Sequence, residues 1–127
     1  MAVGLHTVNL ANVIIDYLRG TAPGAIASLN IQLHTADPGA AGNTAISAVT
    51  TRQVLTLAAG AGGAGVLSNS PVFTMTATET ISHVSIWSNI SAGIVLYTGA
   101  LSVAKSVVNT DTITFTTATI SFTPLMA

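Results

Sequence analysis

The sequence predicts a mainly β, single-domain fold: an antiparallel β-sandwich or barrel of about seven short strands carrying one N-terminal α-helix. Three observations predict it. Short runs rich in β-branched and aromatic residues recur at roughly ten-residue spacing, with apolar and polar positions alternating. Gly, Asn and Asp clusters punctuate these runs, and no helical periodicity separates them, which argues against a parallel sheet built from crossover helices. The chain of 127 residues fits one domain, 1–127, and has no cysteine, so its core must form without disulfide staples or thiol chemistry.

The elements follow in order. Over 7–19, "TVNLANVIIDYLR", apolar residues at Ala11, Ile14, Ile15 and Leu18 share one helical face. Thr7 is the predicted N-cap, Gly20 the stop, Arg19 sits in the last turn and Pro23 lies just beyond. A β-sandwich body is predicted over 26–123. In "SLNIQLH", Leu29, Ile31 and Leu33 fall on one face and Asn30, Gln32 and His34 on the other, the pattern of a half-buried strand. "RQVLTLA", "VFTMT", "ISHVSIWS", "GIVLYTG", "TITFTT" and "TISFT" supply six more strands, with Phe73, Trp87, Phe115 and Phe122 in core-like alternation. Between them, "AAGAGGAGVLSNS" at 58–70 reads as a mobile Gly-rich loop.

Composition bounds the function. Charged residues make up 6% and hydrophobic residues 50% of the chain, and mean hydropathy is +0.69. No run of 18 apolar residues suggests a spanning helix, and the N-terminus lacks the charged and apolar regions of a secretory signal. The expectation is therefore no membrane partner. Arg19, Arg52 and Lys105 lie far apart and are outweighed by Asp16, Asp37, Glu79 and Asp111 to a net charge of -1, which leaves no basic patch and no expected nucleic-acid partner. Small polar and small apolar residues form a neutral, hydrogen-bonding surface suited to burial in a protein assembly.

The motifs offer little catalytic chemistry. Gly60, Gly62 and Gly65 match G-x-G-x-x-G, but "VLSNSPVF" leads into a strand rather than the helix that would face a pyrophosphate, so no cofactor is expected. His6, His34 and His83 lack the i, i+4 or i, i+2 spacing of a local ligand set, and no metal is expected. Asn89-Ile90-Ser91 satisfies a glycosylation sequon and reads most simply as a turn. The segment Leu33-His34-Thr35-Ala36-Asp37-Pro38-Gly39 is the one place where titratable groups crowd together. There Asp37 is positioned to accept a backbone N–H two residues on, Pro38 fixes φ, and Gly39 tolerates positive φ, so the predicted role is a structural turn. The enzymatic alternative is a small hydrolase or lyase using His34 or His83 with Asp37, but the sequence offers this carboxylate no partner of shifted pKa, and no catalytic residue is assigned.

"LHTADPGAAGN", "RQVLTLA", "HVSIW", "LYTGAL", "AKSV" and "NTDTITF" resemble, in that order, a family of small virion proteins of tailed bacteriophages, especially phages of actinobacteria, over about Leu10 to Phe122. "LHTADPG" is the most specific element. One departure is visible: Thr51 precedes Arg52 where the family often carries an aromatic residue, which removes any stacking expected from that preceding position. The resemblance implies a short N-terminal helix, a β-rich body, no catalytic activity, and a tail-fibre-like, minor tail or capsid-decorating role.

Between these roles, length matters. A fibre draws its length from repeats, coiled coil or β-helix, and the sequence shows none, whereas a compact, low-charge module suits a lattice. The expected function is a non-enzymatic capsid decoration protein on the phage particle surface, made in the host cytoplasm and binding the major capsid protein or another virion protein. The alternative is a minor tail or tail-fibre-like protein contacting the host surface. Because so neutral a surface would disperse poorly, a homo-oligomer is expected, and the resemblance implies a trimer.

Overall fold

The computed structural model describes residues 3–121. Nine strands form: β1 (Gly4–Leu5), β2 (Leu29–His34), β3 (Gln53–Leu55), β4 (Ala64–Val66), β5 (Val72–Thr74), β6 (Glu79–Trp87), β7 (Val95–Val107), β8 (Thr112–Thr114) and β9 (Thr119–Ser121). All pairings are antiparallel. The main sheet has the order β1-β7-β6-β2-β3, and β4-β9 and β5-β8 form two smaller sheets. Each of the seven predicted runs contains a strand, although Phe122 and the end of the predicted body lie outside the described residues.

The core lies on one face of the main sheet. Ile31 and Leu33 of β2, Leu55 of β3 and Ile81 and Ile86 of β6 cluster with Phe73 and Met75 from the β5 segment and Ile113 of β8. Alternation explains how β5 and β8 cover them. Val72, Thr74, Thr112 and Thr114 face out while Phe73 and Ile113, paired across the strands, face in. Phe115 meets the Phe73 ring edge-on, with centroids 6.1 Å apart at 76°. In β6 a register shift between Ile81 and His83 reverses the parity, which lets Ile81 join Val84 and Ile86 against the core.

Two differences from the sequence reading change the architecture. The Gly-rich segment is a hairpin rather than a mobile loop: Ala61 and Ala64 exchange backbone hydrogen bonds of 2.9 and 3.0 Å around Gly62 and Gly63, at φ 57° and 77°. Positive φ at both central residues is the type I′ geometry that matches strand twist, and Gly-Gly adopts it without Cβ strain. The hairpin continues into β4, and hydrogen bonds from Ala58 to Val66 and from Ser68 to Thr56 extend the β3 edge. Strand β2, in turn, is not half-buried. It lies between β3 and β6, and Asn30, Gln32 and His34 are as inaccessible as Ile31 and Leu33.

The N-terminal helix also departs from expectation. It opens as a π-helical turn, Thr7–Ala11, and continues as α1, Asn12–Leu18. The cap is His6 rather than Thr7, since the His6 ring accepts the Asn9 N–H at 3.1 Å. The helix carries two overlapping apolar stripes, one through Leu10, Val13, Ile14 and Tyr17 and one through Ala11, Ile14, Ile15 and Leu18, and the first meets the body. Leu10, Val13 and Ile14 therefore turn toward the body, while Ile15 and Leu18, assigned to the buried face, are exposed. No helix among the described residues is long and apolar enough to cross a membrane.

Candidate functional site

The predicted box starts on β2 and leaves it in a loop that returns over the sheet. Leu33 points into the core and is fully buried. Thr35 donates its N–H to Ala45 O at 2.8 Å, and its own carbonyl accepts the Ser82 hydroxyl at 2.9 Å. Ala36 is exposed. Asp37 Oδ1 accepts the Gly39 N–H at 2.9 Å, Pro38 is buried and accepts the Thr44 N–H at 3.0 Å, and Gly39 stands at φ 71°. Further along, Ser47 N–H bonds Leu33 O at 3.0 Å, and its hydroxyl meets the Glu79 carboxylate, which also accepts the Ala48 N–H at 3.1 Å. Residues 35–52 are thus fastened at several points over the polar face of β2 and β6.

Under that loop lies a chain of hydrogen bonds. His34 Nδ1 is 2.8 Å from Thr44 O, and since a carbonyl can only accept, the proton sits on Nδ1. Nε2 then accepts from the Ser85 hydroxyl at 2.7 Å, and Ser85 Oγ accepts the Trp87 Nε1–H at 2.8 Å. Burial pushes the His34 pKa below its ordinary value; the Thr44 carbonyl opposes the shift, and His83, its cross-strand partner, adds to it. The ring is neutral. A serine hydroxyl donating to imidazole is the arrangement of a nucleophile and its base. Here both residues are 0% exposed, so no substrate reaches the pair, and Asp37 Oδ1 accepts the Gly39 N–H of its own turn.

Beside this chain, the Arg52 guanidinium lies 3.7 Å from the centroid of the Trp87 ring. Its Nε donates to Gln32 Oε1 at 3.3 Å, and Nη1 donates to Asn89 O and Ala92 O at 3.0 and 2.6 Å. One side chain thereby joins the end of the long loop, β2 and the 88–94 turn, which contains the Asn89-Ile90-Ser91 segment. Burial lowers the Arg52 pKa. Trp87 was expected in the core; it lies on the opposite face. Gly42, at φ 66°, permits this packing, because a Cβ there would come within 2.8 Å of Val95 Cγ2 and 3.2 Å of Trp87 Cζ2.

The sequence reading missed Arg52, Trp87, Ser85 and Gly42 as a unit. A signal was present in part: an isolated Arg at the start of a strand and the single Trp are both unusual in a chain with 6% charge. Nothing local tied one to the other across 35 residues. Among the described residues, no group of three His, Cys, Asp or Glu is placed to hold a metal ion.

The fold is a β-rich module whose buried polar residues bind a long loop to a sheet. The chain belongs to the family described as podophage GP4 fiber I protein gp80, whose family model matches residues 6–123. It is a bacteriophage virion structural protein of the fibre type. No curated protein matches it.

Proposed function

We propose that this chain is a non-enzymatic component of a phage tail-fibre apparatus, assembled from several copies of itself, trimeric in the simplest case, and held to another virion protein. The family match over residues 6–123 carries the reading. It moves the weight from head to tail relative to the expectation from composition and compactness. The fastened 35–52 loop supports the same role, because a module exposed on a particle benefits from surface loops that resist local opening. Capsid decoration remains the competing reading, favoured by the short chain without repeat or coiled coil.

Copy number separates the two. Quantitative gel analysis of purified particles, with antibody labelling seen by electron microscopy, is expected to give a handful of copies per virion and label at the tail. Hundreds of copies distributed over the head would overturn the tail reading and establish decoration.

A further inference from the structure

Residues 43–49 form the middle of the long loop, and much of this segment faces water: Asn43, Thr44, Ile46 and Ala48 are exposed. Both ends are anchored. Gly42 is buried against Val95 and Trp87, and Arg52 is bonded to the 88–94 turn. Between these anchors, the Thr35 N–H bonds Ala45 O and the Ser47 N–H bonds Leu33 O, which ties the segment to β2. Two titratable side chains complete the fastening. The neutral His34 ring donates Nδ1–H to Thr44 O, and the Glu79 carboxylate accepts both the Ser47 hydroxyl and the Ala48 N–H.

A proton added to either group puts a donor where an acceptor is needed. On His34 the new Nε2–H meets Ser85 Oγ, which already accepts Trp87 Nε1–H, and the Ser85 hydroxyl loses the acceptor it had inside the fold. On Glu79 an O–H would stand against two donors. The surrounding groups are few. His83 faces His34 from β6 and opposes a charge there, while β7 sets Ala100 and Thr98 beside His83 and Ser85. Ile46 bridges to His34 on the other side, Asp37 occupies the first turn of the loop, Arg52 ends it, and Asp111 lines the same surface cleft as Glu79. Strand β6 is paired on both sides, by β2 and β7, so the exposed segment is the part that yields and admits water.

We propose that residues 43–49 are an acid-released flap: proton uptake at His34 and Glu79 frees the segment from β2 while Gly42 and Arg52 hold its ends and the sheet stays folded. Opening brings His34 and Ser85, both buried in the closed form, to solvent.

Amide exchange followed by NMR on the full chain, from about pH 8 to about pH 4 and corrected for the intrinsic pH dependence of exchange, reads the opening at Thr35, Ser47 and Ala48. Imidazole proton shifts in the same samples report the state of His34. Protection at the three amides is expected to fall as His34 takes up its proton, by up to about tenfold per pH unit for each proton bound, while the Val84 and Ile86 amides inside β6 stay protected. Neither His34→Gln nor Glu79→Gln can bind a proton at the altered position. Each, once circular dichroism shows it folded, is expected to give a shallower fall than the wild type, whatever its starting protection. Protection retained at all three amides down to pH 4, loss of the β6 amides at the same pH, or a slope unchanged in either variant would each overturn the flap.

Discussion

At His34, burial and a fixed tautomer leave Nε2 able to take a proton that the fold disfavours. A charged ring would put a second N–H against Ser85 Oγ, whose hydroxyl already donates to Nε2 and whose lone pair already receives Trp87. The folded-state pKa lies below the ordinary 6.5, so the unfolded chain binds the proton first as pH falls. The stabilisation is complete above 6.5 and is lost progressively as pH drops toward the folded value. The unfolding free energy should therefore decline below pH 6.5, by up to about 1.4 kcal/mol per pH unit from this one proton, and the melting temperature with it. In His34→Gln the same scan should be flatter, from a lower starting stability; an unchanged slope would assign the acid sensitivity elsewhere. Gly42 gives a second test at this scale. Gly42→Ala places a Cβ against Val95 in a backbone conformation that alanine resists, and should cost about 1–3 kcal/mol in denaturant unfolding. A neutral result would mean that the loop shifts freely away from Trp87.

Among the elements, one guanidinium joins the end of the long loop to the 88–94 turn. Arg52 covers the Trp87 ring while its Nη1 bonds two carbonyls of the turn and its Nε bonds Gln32, a planar pair of donor nitrogens that a lone ammonium cannot reproduce. Arg52→Lys should lose about 1–2 kcal/mol and shift tryptophan emission to the red as water reaches the ring. An unshifted spectrum with wild-type stability would show that the stack contributes nothing. This arrangement also shows where sequence reasoning stops. Alternation in "VFTMT" and "TITFTT" located β5 and β8 with their inward residues, because one face of each is solvated and the pattern records that. In "SLNIQLH" the same alternation identified which side chains share a face, but periodicity carries no information on whether a polar face meets water or a loop folded back over it. The loop closes through residues distant in sequence, Thr44 with His34 and Arg52 with Trp87, so only the folded chain displays it. The helix face failed because Ile14 belongs to two overlapping apolar stripes at helical spacing, and periodicity alone does not say which of them meets the body.

At the scale of the whole molecule, low charge sets the conditions under which copies associate. The sequence carries three basic and four acidic residues, and two of these, Asp16 and Arg19, neutralise each other at the end of α1. An interface steered by charge weakens as the Debye length shrinks from tens of ångströms at millimolar salt to about 3 Å at 1 M. One built from Ile, Leu and Val has no such term and follows the temperature dependence of apolar hydration, whose driving force fades on cooling, while sulfate strengthens it through exclusion from the protein surface. The average mass of the assembled protein in sedimentation experiments should therefore hold constant from about 0.05 to 1 M sodium chloride, rise in ammonium sulfate, and fall between about 25 and 4 °C. Dissociation by sodium chloride with no response to cooling would transfer the association to the few charged groups away from the helix, Lys105 and Asp111 foremost, and would leave the apolar helix face for some other virion protein to cover.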